Sequence, residues 1–465
     1  MQQVGLSERP LRVAIVGAGP AGFYVAENLF KQKDLVVQVD MFDRLPTPFG
    51  LVRNGVAPDH QKIKSVVKVF DKLASSPNFR FFGYIEVGKD VSVEELRRHY
   101  HQIVYSTGAQ TDRALNIPGM NLAGSHAATE FVAWYNGHPD YRDCVFDLSA
   151  ESAAIIGVGN VAVDVARILC HRPEELAVTD IADYALEALR RSRVREVHMI
   201  GRRGPAQAAF TPVELKELAE LPDTDVIVYS QEAELDPLSS AALADADRGT
   251  QRNVEIVQSI ADLKPAGKRK RLYLRFLLSP TELLGNAAGE LVGVKLARNE
   301  LYATGAGSLR SRPTGEVEEL AVGLIFRSIG YRGVPLPGVP FNDDWGVILN
   351  RQGRVLDPET QRPLAGEYAA GWIKRGPSGV IGTNKPDAAE TVEQMVADWR
   401  AGEILRPEAP APRAVKELIV ARQPDYFSYA DWQRLDEFET GRGQAQGRPR
   451  VKLTSVEEML AARER

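Results

Sequence analysis

Short apolar runs rich in β-branched residues recur along the chain, each closed by a glycine-rich turn and followed by a helical stretch. The first, Arg12 to Val16, is of the kind that makes a parallel strand buried on both faces. Ala21 to Lys31 then predicts a helix, and Val36 to Phe42 a second strand ending at Asp43. Residues 44–64, RLPTPFGLVRNGVAPDHQKIK, form a long Pro/Gly loop leading into a helix from about Gln61 to Ala74. Long loops inside compact domains are usually functional. Phe81 to Val87 and His101 to Ser106 predict further strands. The helix between them, Val91 to Tyr100, carries a Ser92-x-x-Glu95 capping box.

The same pattern restarts at Ser152 to Ile156, followed by a helix from Val161 to about Cys170 and a polar helical insertion over residues 171–193. Strands are expected at Glu196 to Ile200 and Asp223 to Tyr229, and an exposed helical excursion at 235–252. Lys268 to Leu278 and Leu291 to Arg298 predict an antiparallel pair, and Leu320 to Gly330 a buried strand. A strand end at Tyr368 to Ala370 gives way to a glycine-rich loop and a helix starting near Pro386. Beyond residue 401, helices are expected at Val415 to Arg422 and Ala430 to Glu439, with Gly441 to Arg450 a surface loop. Strands alternating with helices predict an α/β chain built on parallel sheets.

Two turns carry chemistry. Gly17, Gly19 and Gly22 have the spacing G-x-G-x-x-G between a strand and a helix. In that context the first glycine permits the tight turn, the second lets backbone approach a pyrophosphate, and the third lets helix and strand pack closely. Gly157-Val158-Gly159-Asn160-Val161-Ala162 repeats the device as G-x-G-x-x-A. The following strands end differently. The first ends in Asp43, which can accept from a free ribose 2′-OH, and predicts FAD or NAD. The second ends in Arg202 and Arg203, which suit a 2′-phosphate, and predicts NADP. In the third distinctive piece, YAAGWIKRGPSGVIGTNKPD over 368–387, Gly376, Gly379 and Gly382 leave backbone N–H groups open to a ligand.

At 465 residues the chain needs two or three domains. A net charge of −5 speaks against a chain built globally for nucleic acid. Cys144 and Cys170 form no C-x-x-C, so no redox disulfide is expected and a reducing compartment is. No apolar run reaches the length of a membrane span, and none precedes the first strand as a secretory signal would. A cytoplasmic enzyme is the expectation; oligomeric state stays open. Two basic runs, Arg190 to Arg195 and Lys264 to Arg275, are candidates for docking an acidic partner.

The segments GAGPAG, LPTPFGLVRNGVAPDH, YSTGAQTDR, GVGNVAVDVAR, GRRGPAQAAFTPVEL, SIGYRG and GWIKRGPSGVIGTNK occur in that order. Together they resemble the adrenodoxin-reductase-like ferredoxin–NADP reductases, most closely the mycobacterial and actinobacterial members, over nearly the whole chain. The resemblance implies two Rossmann-like dinucleotide-binding domains: an FAD domain from residues 1–111 and 331–465, the latter with a helical tail, and an inserted NADP domain, 112–330. It implies hydride transfer from NADPH to FAD, then single electrons to a ferredoxin-type iron–sulfur protein. By matching position, FAD contacts are expected at Ala18, Asp43, Leu51, Val87, Trp372, Gly379, Val380 and Ile381. NADP contacts are expected at Arg113, Val158, Gly159, Asn160, Val161, Arg202, Arg203, Glu214 and Gly379. His60 and Glu214 are expected beside the nicotinamide and flavin, for proton management or positioning. Asp43 stands where the family often has Glu, and Phe49 where close relatives have Trp. The competing readings are an NADPH-dependent flavin monooxygenase and a non-catalytic FAD/NADP-binding protein.

Overall fold

The computed structural model describes residues 4–305 and 307–463. It divides into two units: Met1–Thr111 with Asn136–Asp140 and Gly330–Arg465, and Asp112–Tyr135 with Tyr141–Ile329.

The first unit holds a seven-stranded sheet in the order Asn350–Arg351, Arg354–Leu356, Pro363–Ala369, Gln102–Tyr105, Leu11–Val16, Val37–Phe42, Phe79–Phe82. The last five run parallel, and the hairpin of Asn350–Arg351 and Arg354–Leu356 adds to them by antiparallel pairing. Leu11–Val16 is buried throughout, as a central parallel strand must be. The helix Pro20–Phe30 lies against the long helix Asn384–Ala401. The helix Val93–His99 begins with the expected capping box, Glu95 N–H donating to Ser92 Oγ at 3.1 Å and Ser92 N–H to Glu95 Oε2 at 2.9 Å. The tail packs into this unit: Phe427, Trp432, Leu435, Leu453 and Met459 share an apolar core with Phe23, Phe49 and Phe70.

The second unit holds a six-stranded parallel sheet, in the order Ser125–Ala127, Leu324–Arg327, Ser152–Ile156, Glu196–Ile200, Lys270–Arg275, Thr224–Val228. A three-stranded antiparallel sheet, Leu278–Gly285, Leu291–Ala303 and Leu309–Leu320, belongs to the same unit. In both parallel sheets the chain order reverses at the strand that carries a glycine turn, the place where open α/β sheets bind ligands.

Several elements differ from expectation. The helix expected over Gln61 to Ala74 is two helices, Gln61–Lys64 and Val67–Ala74; between them Ser65 turns its hydroxyl onto Lys62 O at 2.6 Å. The strand expected at Phe81 to Val87 is Phe79–Phe82, because Tyr84 takes φ +59° and turns the chain out of the sheet. Lys268 to Leu278 is not half of an antiparallel pair. Lys270–Arg275 is an inner parallel strand, Leu277 bends the chain at φ +57°, and only Leu278–Gly285 pairs with Leu291–Ala303. The loop expected at Gly441 to Arg450 begins only after Gln444, since the helix Tyr429–Gln444 runs on until Arg450 folds back over Gly443. Another helix, Val456–Arg463, closes the described chain.

Candidate functional site

In the first unit, Gly17 leaves the strand at φ +106°, and a Cβ there would lie 2.5 Å from Ser106 O. Only glycine fits. A Cβ on Gly22 would lie 2.5 Å from Gly17 O, so the helix could not seat on the turn. Gly19 is different. A Cβ there would meet no atom within 4 Å, so packing does not demand glycine. The helix that Gly19 opens has Pro20 at its first position and no side-chain cap, leaving its first N–H groups for an anion. The second unit repeats this construction. Gly157 has φ +139°, and a Cβ there would collide with Ser328 O. Gly17 N–H donates to Phe42 O at 2.8 Å and Gly157 N–H to Ile200 O at 2.9 Å, the same bond in each sheet. Gly159 opens Asn160–Cys170, again with no side-chain cap. Ala162, in the third-glycine position, is fully buried.

Asp43 accepts from Ala18 N–H at 2.8 Å and from Leu45 N–H at 3.0 Å. Burial lifts its carboxyl above the ordinary range, against the pull of these two N–H groups and Arg44. It ties the glycine turn to the long loop, and each oxygen keeps acceptor capacity for a ribose hydroxyl. The loop lies on the turn: Phe49 N–H donates to Ala18 O at 2.7 Å, and a Cβ on Gly50 would sit 2.9 Å from Gly19 Cα. Leu51 opens the helical turn Leu51–Asn54 and is partly exposed. Val87 is buried in a separate apolar cluster with Phe82, Ile85 and Val91.

The loop after Ala369 is braced from below. Lys374, 8% exposed, donates to Glu390 Oε2 at 2.6 Å and Thr391 Oγ1 at 3.0 Å, and pairs with Asp387 at 3.2 Å. Asp387 also accepts Gly371 N–H at 2.6 Å. Arg375 donates to Asn384 Oδ1 at 2.9 Å and to Ser378 O. Trp372 donates to Ser378 O at 3.2 Å and rests against Tyr331, ring centres 5.4 Å apart. Gly379, Val380 and Ile381 ride on this frame, with Val380 exposed. Lys374, Arg375 and Asp387 escaped sequence reasoning; charges inside a glycine-rich loop were the available signal.

In the second unit, Val158 O accepts Ala209 and Phe210 N–H at 2.9 and 3.1 Å, and Asn160 Oδ1 accepts Thr211 N–H at 2.9 Å, so the turn is laced to the segment opening the helix Pro212–Ala219. Val161 packs against the unit's apolar core, which includes Phe131, Ile155 and Ala166. Arg202 is exposed and Arg203 half-buried. Neither forms an ion pair among the described residues, whereas Arg12, Arg53, Arg167, Arg275 and Arg354 all do. Burial, and then the charge of Arg202, lower the Arg203 pKa. Two neighbouring guanidinium groups without a carboxylate are a ready anion site. Arg113 is exposed.

Glu214 sits in the first turn of its helix and accepts from Arg167 Nη1 at 2.9 Å. Arg167, 2% exposed, also pairs with Asp164 at 3.2 Å and Glu217 at 3.3 Å. The fold therefore holds Glu214 through a buried arginine that the sequence did not single out. His60 is half-buried before the helix Gln61–Lys64, its carbonyl accepting Ile63 N–H at 3.1 Å.

The two basic runs are largely spent on the fold. Arg190 and Arg191 pair with Glu187, and Arg193 with Glu151. Lys268 Nζ donates to Leu221 O and Thr224 O, Lys270 Nζ to Leu169 O, Arg271 pairs with Glu196, and Arg275 is buried against Glu232.

Comparison with known proteins identifies the family. The pyridine nucleotide-disulphide oxidoreductase family profile matches residues 11–203. "NADPH-ferredoxin reductase FprA" of Mycobacterium tuberculosis is 48% identical over 461 residues, covering 97% of this chain and 99% of that protein. "NADPH:adrenodoxin oxidoreductase, mitochondrial" of Bos taurus is 42% identical over 473 residues, covering 99% of this chain and 93% of the other. The solved structure of Mycobacterium tuberculosis FprA in complex with NADPH superimposes with a TM-score of 0.92 at 46% identity, covering 98% of this chain and all of that one. The chain belongs to the adrenodoxin-reductase-like ferredoxin–NADP reductases.

Proposed function

We propose that this chain is an FAD-dependent NADPH oxidoreductase that passes electrons between NADPH and a ferredoxin-type iron–sulfur protein. The observation that carries the reading is the pair of like-built glycine turns with opposite strand ends: an acid at Asp43, and two guanidinium groups at Arg202 and Arg203 without carboxylate partners among the described residues. FAD belongs to residues 1–111 and 331–465, with Gly17, Ala18, Gly19, Gly22, Asp43, Leu51, Val87, Trp372, Gly379, Val380 and Ile381 as its contacts. NADP belongs to 112–330, with Arg113, Val158, Gly159, Asn160, Val161, Arg202, Arg203, Glu214 and Gly379 as contacts. Bound FAD supplies the conversion between a two-electron donor and a one-electron acceptor. This chain's residues orient the dinucleotides and hold charge: the helix N-termini at Gly19 and Gly159 face the pyrophosphates, and Arg202 and Arg203 neutralise the 2′-phosphate. Arg167 fixes the Glu214 carboxylate, and His60 and Glu214 serve as the polar groups beside the reacting rings. The enzyme works in the cytoplasm. The relatives' names support the ferredoxin partner. No helix among the described residues is long and apolar enough to cross a membrane.

The cysteines separate this chemistry from disulfide reduction. Cys144 and Cys170 are unpaired, and burial lifts the Cys170 thiol to about 11, far from a reactive thiolate. Electrons therefore leave through the external partner. The test is an anaerobic spectrum of the purified protein with NADPH and NADH in parallel. Bleaching of a flavin band by NADPH, much weaker with NADH, is expected. Arg202→Ala/Arg203→Ala should lower the NADPH/NADH preference tenfold or more, since each charged hydrogen bond contributes about 1.5–3 kcal/mol. A flavin that no reduced nicotinamide bleaches would overturn the reading.

A further inference from the structure

The Arg202–Arg203 pair raises a question of aim. Arginine side chains are long, and these two gain little side-chain support from the fold: Arg203 Nη2 reaches Gln207 O only at 3.5 Å. What fixes them is their backbone. Gly201 N–H donates to Arg275 O at 2.9 Å, and Gly201 O accepts Leu278 N–H at 3.0 Å. Arg203 O accepts Leu277 N–H at 3.2 Å. Arg202 O accepts Asn299 Nδ2 at 2.9 Å. Three of these bonds are backbone to backbone and open to any residue. The fourth needs a side-chain donor at position 299.

We propose that Asn299, working with Leu277, is a positioning residue that sets the aim of Arg202 and Arg203 and thereby the preference for a 2′-phosphate. This rests on the reading that those arginines hold that phosphate. Asn299 is 4% exposed and lies on the long strand Leu291–Ala303. The register of that strand against Leu309–Leu320 slips between Ala297 and Asn299. Such a bulge re-aims a side chain and is common beside functional sites. Both N–H groups of the amide are committed: Nδ2 donates to Arg202 O and to Ser279 Oγ at 2.8 Å. Asn299 N–H also donates to Leu277 O at 2.8 Å. Leu277 holds φ +57°, a conformation that a branched side chain adopts only under constraint. Its N–H and its carbonyl join Arg203 to Asn299, which is the constraint. The neighbouring residues give this corner a firm base: Arg275 and Arg298 both pair with the fully buried Glu232, at 3.0 and 3.1 Å, and Glu232 accepts Phe276 N–H at 2.9 Å. The antiparallel sheet thus does more than decorate the nucleotide domain. It carries the bracket on which the phosphate-reading arginines stand.

The test uses the flavin-loaded full chain and two variants side by side: Asn299→Asp, which keeps size and removes the donor but adds a carboxylate charge, and Asn299→Ser, which removes the long donor and stays neutral. Flavin reduction is followed with NADPH and NADH, and affinity is measured for adenosine 2′,5′-bisphosphate against ADP as direct probes of the 2′-phosphate. The expected result is a fall of about five- to tenfold in the NADPH/NADH ratio of kcat/KM, appearing in KM for NADPH, with a matching loss for the bisphosphate and none for ADP. Asn299→Ser, whose hydroxyl is too short to reach Arg202 O, carries the same expectation without the added charge, and a loss in N299D that Asn299→Ser does not share would assign the effect to that charge and overturn the proposal. Equal losses for both nucleotides, or no change, would reduce Asn299 to a structural residue and overturn the proposal. Arg202→Ala/Arg203→Ala runs in parallel. If the ratio survives that double variant, the phosphate is read elsewhere and the underlying reading fails; if it collapses there but survives N299D, only the present inference fails.

Discussion

The loop that covers the first glycine turn is held from 386 residues away in sequence, and cutting that hold is the most informative perturbation. Glu439, in the tail helix Tyr429–Gln444, is fully buried and accepts from Arg53 Nη1 and Nη2 at 2.8 and 2.6 Å, from Arg450 Nη1 at 3.2 Å and from Leu453 N–H at 2.7 Å. Arg53, 6% exposed, sits shortly after Phe49 and leans over the Trp432 ring at 5.3 Å. Glu439→Leu leaves the Arg53 charge buried and unpaired, which costs about 3–5 kcal/mol. For a unit of this size that is a fall of roughly 6–20 °C in the unfolding temperature. Arg53→Met/Glu439→Leu removes both charges and should cost much less, about 1–3 kcal/mol, because only the Leu453 N–H and part of the Arg450 pairing lose their acceptor. Arg450 keeps Asp436 at 2.6 Å. The single variant should also shed flavin on gel filtration while the double variant retains more of it. Burial alone would raise the Glu439 pKa, but Arg53 and the other donors outweigh it and hold it below the ordinary value. The pair therefore stabilises the fold above the unfolded carboxyl pKa, and that contribution disappears as the pH falls through the lower folded value. Chemical denaturation of Glu439→Leu, Arg53→Met and the double variant across pH 3–7, scored with the parent chain as a double-mutant cycle, measures the coupling. A Glu439→Leu cost within about 1 kcal/mol of zero, or a double variant as damaging as the sum of the singles, would refute the buried-pair argument.

Three other outcomes rest on the geometry. Gly371→Ala would put a Cβ 2.5 Å from Ala21 Cβ at φ +76°, prising the C-terminal loop off the first helix; a loss of about 1–3 kcal/mol in urea unfolding is expected, and unchanged stability would contradict the contact. Burial, reinforced by nearby arginines, depresses His101, His138 and His198 to about 4. Their unfolded forms bind protons first, so stability should fall as the pH drops from about 6.5 towards 4, and His101→Asn, which spares the Arg12 N–H at 3.0 Å an imidazolium, should flatten the urea midpoint against pH. Cys144→Ser/Cys170→Ala should retain NADPH-driven reduction of a ferredoxin followed through cytochrome c, whereas loss of that activity in a folded, flavin-loaded variant would reopen a thiol relay.

What was legible in the sequence was whatever depends on a few adjacent residues. The two glycine turns and their opposite strand ends are local, and the capping box at Ser92 is a four-residue motif, so both can be read from spacing. Strand partnership is not local. Lys270–Arg275 and Leu278–Gly285 are apolar enough to be one strand, and only the left-handed Leu277 between them sends one half into the parallel sheet and the other into the antiparallel one. The basic run around them misleads for the same reason: Lys268, Lys270, Arg271 and Arg275 crowd together in sequence, but carbonyls of distant turns and the carboxylates of Glu196 and Glu232 absorb them. Arg202 and Arg203 invert the case. They look equally ordinary as a strand end, yet the fold gives them backbone support and, among the described residues, no carboxylate partner.

That contrast is a usable criterion for this chain. A cation that the fold neutralises has been recruited to hold the fold together, and a cation that the fold braces through its backbone but leaves without a counter-charge among the described residues is open to a ligand. The desolvation cost of burying an unpaired guanidinium explains why: Arg53, Arg167 and Arg275 are each 7% exposed or less and each has carboxylate partners, whereas Arg202 is exposed to solvent. Glu214 is a different case: Arg167 holds it at 2.9 Å, so its carboxylate is fixed in direction. Arg167→Met should therefore weaken the part Glu214 plays for the nicotinamide without touching the 2′-phosphate preference, the opposite signature to Asn299→Asp. Kinetics in which Arg167→Met shifted the NADPH/NADH ratio as strongly as Asn299→Asp would show that the two halves of the site are not separable in this way.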